Sequence, residues 1–389
     1  MATGGVTSER PVATLLQATL SIVLGALPIF LTGAMAVFIR PELGFGESEL
    51  GALATLYYVA SASTTIPGGR LAERLGGPKA MAAGAALSML ASLGIAGFAR
   101  SWAAMAVFLV IGGIANGVAF PASNLAIARG FPLRRQGVGF AIKQSAGPYA
   151  TLLAGIAVPA IGLTIGWRWA FALAGVAAIP IIAGGSRRET GLPVRRGMRS
   201  DVPGGPVWML SFGAFCAVNA SASLGAFYVE SAVSGGLDAG VAGLYLSAGS
   251  GIGVLIRVGW GLIADRHRGV HFGLLTAMLA GGAVAFAAMG RSWSAPGLFF
   301  MTLLVFGTAW AWPSLLNFAV VTRVPDAPGI ASGILGAGQF GGGILGPLTF
   351  GVIVERAGYS MAWAFGGVMV ALAAVFVAIG GRMLERRQA

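Results

Sequence analysis

Two basic side chains sit where a charge is hardest to keep. Arg257 falls inside the apolar run 239–263, and Asp265-Arg266-His267-Arg268 ends that run abruptly. As a helix, the eight residues from Arg257 to Asp265 rise about 12 Å, which carries the guanidinium well into the apolar stretch. Lys143 lies about 12 Å from Arg135 along the run 137–163 by the same helical rise. Arginine stays protonated at physiological pH. In a bilayer such a charge costs several kcal/mol, about 3 on insertion scales, unless it faces water, a partner or a ligand. The thirteen acidic residues offer no partner: none falls in the middle of an apolar run, and Glu230 and Glu355 come nearest, at run ends. Two cations without a counter-ion attract an anion. A guanidinium fork suits a carboxylate through two parallel bonds, and an ammonium adds a point charge.

The elements that must position these residues follow from composition. The chain has 389 residues, 56% of them hydrophobic and 10% charged, with a mean hydropathy of +0.83. Soluble domains carry about 25% charged residues, so this is read as an integral membrane protein. The net charge of +12 does not indicate nucleic acid, because the basic residues sit in short loops between apolar runs. A single cysteine, Cys216, excludes an internal disulfide and a cysteine metal cluster. Both histidines, His267 and His271, lie at one loop. Neither a nucleophile–base pair nor a metal cluster is visible, so no enzyme activity and no cofactor are expected. The polar start, 1–12, does not read as a secretory signal.

Twelve apolar runs are near the ~20 residues that span a bilayer as helix. They cover roughly 13–38, 49–69, 80–99, 102–128, 137–163, 168–185, 206–229, 239–263, 272–290, 297–321, 330–354 and 361–381. None alternates as a barrel strand would. With the N-terminus inside, inner loops and ends hold 18 Lys and Arg residues and outer loops hold 5. Positive charge marks the cytoplasmic side, which predicts both termini in the cytoplasm and a multi-pass protein of the plasma (inner) membrane. The basic stretch 186–205, SRRETGLPVRRGMRSDVPGG, reads as a cytoplasmic linker between six-helix bundles at 1–185 and 206–389. These halves repeat. GGRLAERLGG at 68–77 returns as WGLIADRHRG at 260–269, and at the same offset Gly51 meets Gly243 and Pro121 meets Pro313. Parallel six-helix repeats with a site between them are one plan of secondary transporters.

Over its whole length the chain resembles a major facilitator superfamily transporter. The loop signature G-x-L-A-D-R-x-G is matched by Gly69, Leu71, Ala72, Glu73, Arg74 and Gly76, and again by Gly261, Ile263, Ala264, Asp265 and Arg266. Glu73 replaces the usual Asp. Phe108 stands where the family often has an Arg four residues before Gly112, and Gly147-Pro148 keeps only part of the fifth-span signature of drug/proton antiporters. The resemblance implies an all-α fold of twelve transmembrane helices in two six-helix pseudo-repeats, moving a solute by alternating access. Nitrate/nitrite porters, the oxalate/formate antiporter and animal monocarboxylate transporters carry an anion-binding Arg eight residues before the signature Asp. Arg257 and Asp265 keep that spacing. Sugar facilitators carry a substrate-facing Gln at the equivalent of Gln144, which implies that Lys143 and Gln144 reach the cavity, with Gln339 as the repeat partner of that region.

Polar and aromatic faces supply the remaining candidates. Asn116, Phe120 and Asn124 share one face of the fourth run, and Asn219, Ser223 and Phe227 one face of the seventh. Tyr57 and Tyr58 lie on the second run, Tyr149 on the fifth, and Trp310 and Trp312 on the tenth. Gly249, Ser250 and Gly253, one or two turns before Arg257, are expected to leave room for a ligand. The expected partners are a small anionic solute, a mono- or dicarboxylate above all, and the lipid bilayer, with the protein a monomer. Exchange, facilitated diffusion or proton cotransport suits a carrier without an embedded carboxylate. An exporter of hydrophobic or cationic drugs is the alternative, favoured by Gly147-Pro148 and opposed by two cations in the cavity. A membrane receptor is opposed by the duplicated loop signature.

Overall fold

The computed structural model describes residues 11–130, 136–186, 204–266, 272–291, 294–324 and 327–386. Every regular element among them is helical: α1 (Pro11–Ala34), α2 (Ala36–Leu43), α3 (Glu47–Leu75), α4 (Gly77–Phe98), α5 (Trp102–Gly130), α6 (Gln136–Gln144), α7 (Ala146–Ala157), α8 (Trp167–Val176), α9 (Ile179–Ala183), α10 (Gly204–Ser234), α11 (Ala239–Arg266), α12 (Phe272–Met289), α13 (Ala295–Thr308), α14 (Pro313–Arg323) and α15 (Pro328–Arg386). Apolar length sets most of them. Eight stretches among the described residues, one of them α13 and α14 together, are long and apolar enough to cross a membrane on those grounds alone. Several spans are built from broken pieces: α6 and α7 with the turn Val158–Gly162, then α8 with α9, then α13 with α14. The 59 residues of α15 cannot be one span, because a bilayer takes about 20. Gly358 bends it with φ 79° and ψ 171°, a conformation that glycine adopts without a Cβ penalty. The result is the expected twelve-span fold. The linker at 186–205 lies almost wholly outside the described residues.

Glycine lets the two six-helix groups touch backbone to backbone. A Cβ at Gly51 of α3 would lie 2.3 Å from the Pro347 carbonyl oxygen of α15, and one at Gly243 of α11 would lie 2.5 Å from the Gly155 carbonyl of α7. Such small-residue contacts are how helices associate in lipid, where no hydrophobic force drives them together. Hydroxyls add hydrogen bonds along the same seam. Thr55 donates to the Ile344 carbonyl at 2.6 Å, Ser247 to that of Leu152 at 2.9 Å, and Ser250 pairs with Thr151 at 2.9 Å.

Charge also ties the two groups together where α2 meets α10. Arg40 of α2 pairs with Glu47 of its own group at 3.0 Å and with Glu230 of the other group. Burial works against the Arg40 charge, but the two carboxylates outweigh it and hold its guanidinium above the usual arginine range. Between described residues, the hydrogen bonds and ion pairs joining the groups include this pair, the three hydroxyl bonds above and the bond from Arg257 to the Gln144 carbonyl.

Candidate functional site

Arg257 and Lys143 are both withdrawn from the surface, 3% and 1% exposed. Neither forms an ion pair among the described residues. Arg257 reaches across the seam from α11, where its Nη1 donates to the Gln144 carbonyl at 2.7 Å and its Nη2 donates to the Trp310 carbonyl. Sequence explains why those oxygens are free. The helical partner of the Gln144 carbonyl would be the N–H of residue 148, which is Pro148 and has none. Trp310 lies in the gap between α13, which ends at Thr308, and α14, which starts at Pro313, and Pro313 has no N–H to close a turn onto its carbonyl. The Arg257 Nε stays buried without a partner.

Lys143 is the last residue but one of α6. Its ammonium donates to Asn124 Oδ1 and stands 4.1 Å from the centre of the Phe120 ring, both on α5. An ammonium has three donors, and the described residues supply one oxygen. Phe120 meets Phe340 of α15 edge-on at 6.5 Å, so the aromatic floor beneath Lys143 spans both groups. Gln144 follows Lys143 in the chain and its carbonyl holds Arg257. The structure thus brings Arg257 to the Gln144 and Trp310 carbonyls and Lys143 to Asn124 and Phe120, two sets joined by the chain neighbours Lys143 and Gln144, and Phe340 is the residue that sequence did not single out.

The other candidates are dispersed. Tyr57 is 1% exposed and donates to the Gly25 carbonyl at 2.9 Å, and Asn116 donates to Ser61 at 2.9 Å. Both bonds stay within the N-terminal group, so these residues hold helices together. Tyr58, the neighbour of Tyr57, packs against Gly343 of the other group. Asn219 Oδ1, Trp312 Nε1 and Gln339 Nε2 are buried polar atoms with no hydrogen-bond partner. Such atoms are costly unless a ligand or water satisfies them. Tyr149 is half-buried. Gly249 does not leave room beside Arg257: a Cβ there would lie 2.6 Å from Phe306, so it serves helix packing, and Ser250 is spent on Thr151. Of the loop signature, Glu73 and Arg74 are exposed, Gly69 half-buried and Gly261 buried. The side chains of Asp265 and Arg266 lie outside the described residues.

The pairing of Arg40 with Glu230 is the feature that sequence reading missed. A signal was present. Arg40 and Glu230 stand at the ends of the first and seventh spans, which the repeat makes equivalent, and the helices of these spans meet across the seam. A cavity of about 390 Å³ also opens at that end, within the C-terminal group, between Tyr228, Ser231, Arg291, Tyr359 and Trp363. None of the candidate residues lines it. On the N-terminal group, Glu42 accepts hydrogen bonds from Trp167 Nε1 at 2.6 Å and from Arg168. Burial pushes its pKa up, but those two bonds outweigh it and hold the carboxyl below the usual range.

Comparison with known proteins adds to this geometry. Residues 18–327 match the Major Facilitator Superfamily. A probable chloroplastic anion transporter 2 from Oryza sativa subsp. japonica is 28% identical over 170 residues, 42% of this chain and 31% of the relative. A probable sulfoacetate transporter, SauU, from Cupriavidus necator is 29% identical over 147 residues, 37% of this chain and 33% of the relative. The chain thus spans about a third of the length of these two relatives. Among solved structures, a D-xylose–proton symporter superposes with a TM-score of 0.73 at 18% identity, over 94% of this chain and 96% of that one. A bacterial homologue of the human lysosomal transporter Spinster gives 0.73 at 17% identity, over 96% of this chain and 95% of that one. At such identities these structures speak for the fold alone.

Proposed function

Because the chain belongs to the Major Facilitator Superfamily and is a multi-pass membrane transporter, we propose that its cargo is a small anion, bound by Arg257 and Lys143. The observation that carries this reading is the pair of buried cations whose recorded partners are neutral oxygens. Carbonyl and amide dipoles solvate a charge without cancelling it, and a buried charge favours an opposite one. An entering carboxylate or sulfonate exchanges one of these neutral oxygens for a full negative charge. The names of the two curated relatives, an anion transporter and a sulfoacetate transporter, support the same class. Two cations further suit a cargo with two acidic ends, such as a sulfonated carboxylate.

In this reading both termini face the cytoplasm of a cell bounded by its inner membrane, on the distribution of basic loops. The two bundles, 1–185 and 206–389, rock about the seam, and a monomer suffices. The state described here is then closed outside by Arg40 and Glu230. Liposome flux tests the reading. Protein in liposomes takes up labelled sulfoacetate or malonate, with or without anion preloaded, and Arg257→Ala abolishes the uptake. Flux of cationic dyes with no anion flux overturns it in favour of a drug exporter.

A further inference from the structure

The bond from Arg257 to the Gln144 carbonyl exists because residue 148 is proline. In an uninterrupted helix that oxygen would accept the N–H four residues on. Pro148 removes the donor, and α6 ends at Gln144 while α7 begins at Ala146. The freed carbonyl faces the other group, where Nη1 of Arg257 meets it at 2.7 Å. Trp310, beside the break before Pro313, offers a second freed carbonyl to Nη2. The guanidinium fork is therefore held by two oxygens, one from each six-helix group, as the two oxygens of one carboxylate would hold it.

We propose that Pro148 is a positioning residue of the anion site, which makes the Gln144 carbonyl a displaceable stand-in for the cargo on Arg257. The inference rests on the anion reading given above. In the empty carrier the stand-in keeps the guanidinium solvated and aimed along the seam, which spares it the cost of an unpartnered buried charge. Cargo entry replaces the Gln144 oxygen with an anionic one. Because the Gln144 bond joins α6 to α11, its replacement also removes one of the ties between the groups, at the inner end of the seam. Occupancy and the freedom of the groups to move are thus linked through a single carbonyl.

Pro148→Ala tests this directly. It restores an N–H at residue 148, which competes for the Gln144 carbonyl and takes it from Arg257. Anion binding then no longer has to break a charged hydrogen bond. Hydrogen bonds to charged groups are the stronger ones, and the expected gain in affinity is about tenfold. Binding is measured on the full-length protein by calorimetry, with acetate, malonate, sulfoacetate and nitrate as probes. KM and kcat for the bound probe are expected to fall together, because a tighter complex releases its cargo more slowly. Pro148→Gly also supplies the N–H and is expected to tighten binding as well. Pro67→Ala, which alters a proline in α3, is expected to leave affinity unchanged. Unchanged or weakened affinity in both Pro148 variants overturns the proposal. So does tightening in Pro148→Ala without tightening in Pro148→Gly, which would assign the effect to helix straightening. If the parent protein binds none of the four probes, the anion reading itself fails and takes this inference with it, which separates the two failures.

Discussion

Replacing Glu230 by Gln should loosen the proposed seal between the two groups at Arg40 by an amount that the structure sets. Gln keeps the shape and can still accept from Arg40, so the change removes charge alone. Arg40 retains Glu47 at 3.0 Å within its own group, so it is not orphaned. The Arg40 and Glu230 side chains are 16% and 11% exposed, which leaves the pair only partly screened by water. The variant keeps a hydrogen bond to the charged Arg40 and loses the second charge; an exposed ion pair contributes about 0.2–1 kcal/mol, and a pair this far withdrawn from water contributes somewhat more. A loss of about 1.4 kcal/mol corresponds to a tenfold shift toward the form in which this end is open. A cysteine at Thr55, whose hydroxyl bonds the Ile344 carbonyl in the seam, reports on that opening through its rate of labelling by a membrane-impermeant maleimide. The native Cys216 is 1% exposed and serves as an internal blank. Labelling about ten times faster in Glu230→Gln is expected. A rate within twofold of the parent would refute the role of this ion pair as a seal.

Other consequences are as specific. Gly51→Ala puts a methyl 2.3 Å from the Pro347 carbonyl oxygen, so the seam cannot close. The variant should insert in membranes, label fast at Thr55→Cys and transport at a small fraction of the parent rate, and normal transport would contradict the backbone contact. Glu42 has a depressed folded pKa. Its stabilising contribution is therefore complete above the ordinary carboxylate pKa and is lost as pH falls through the lower folded value. Thermal stability in detergent should drop on acidification through that window, by less in Glu42→Gln than in the parent, and equal slopes would show that the cluster with Trp167 and Arg168 does not titrate.

Much of the fold was legible because lipid leaves a chain few options. Apolar length, basic loops and a repeated loop signature specify twelve spans and their pairing into halves. The breaks inside spans were only partly legible. Pro148 and Pro313 announce interruptions, but nothing in the sequence says which side chain takes the freed carbonyls. The two cations at Arg257 and Lys143 were legible because a buried charge without a nearby acid stands out. Tyr57 and Asn116 were harder to judge, because a polar side chain on a span looks the same whether it faces a cavity or bonds the next helix. In the structure they bond the neighbouring helices, through Gly25 and Ser61. Arg40 and Glu230 lie 190 residues apart, and their pairing depends on how two distant spans meet, for which the offset of the repeat is the one signal in the sequence.

The central claim is that two buried cations await a charge carried by the cargo. The measurement that tests it most directly is thermal stabilisation of the purified protein by a panel of small carboxylates, sulfonates, nitrate and cationic dyes, run on the parent, Lys143→Met and Pro67→Ala. Lys143→Met keeps the volume over Phe120 and removes the charge. Saturable stabilisation by an anion in the parent and in Pro67→Ala, weakened at least tenfold in Lys143→Met, is the predicted result. Stabilisation by cationic dyes alone, or anion binding that Lys143→Met leaves intact, would contradict it.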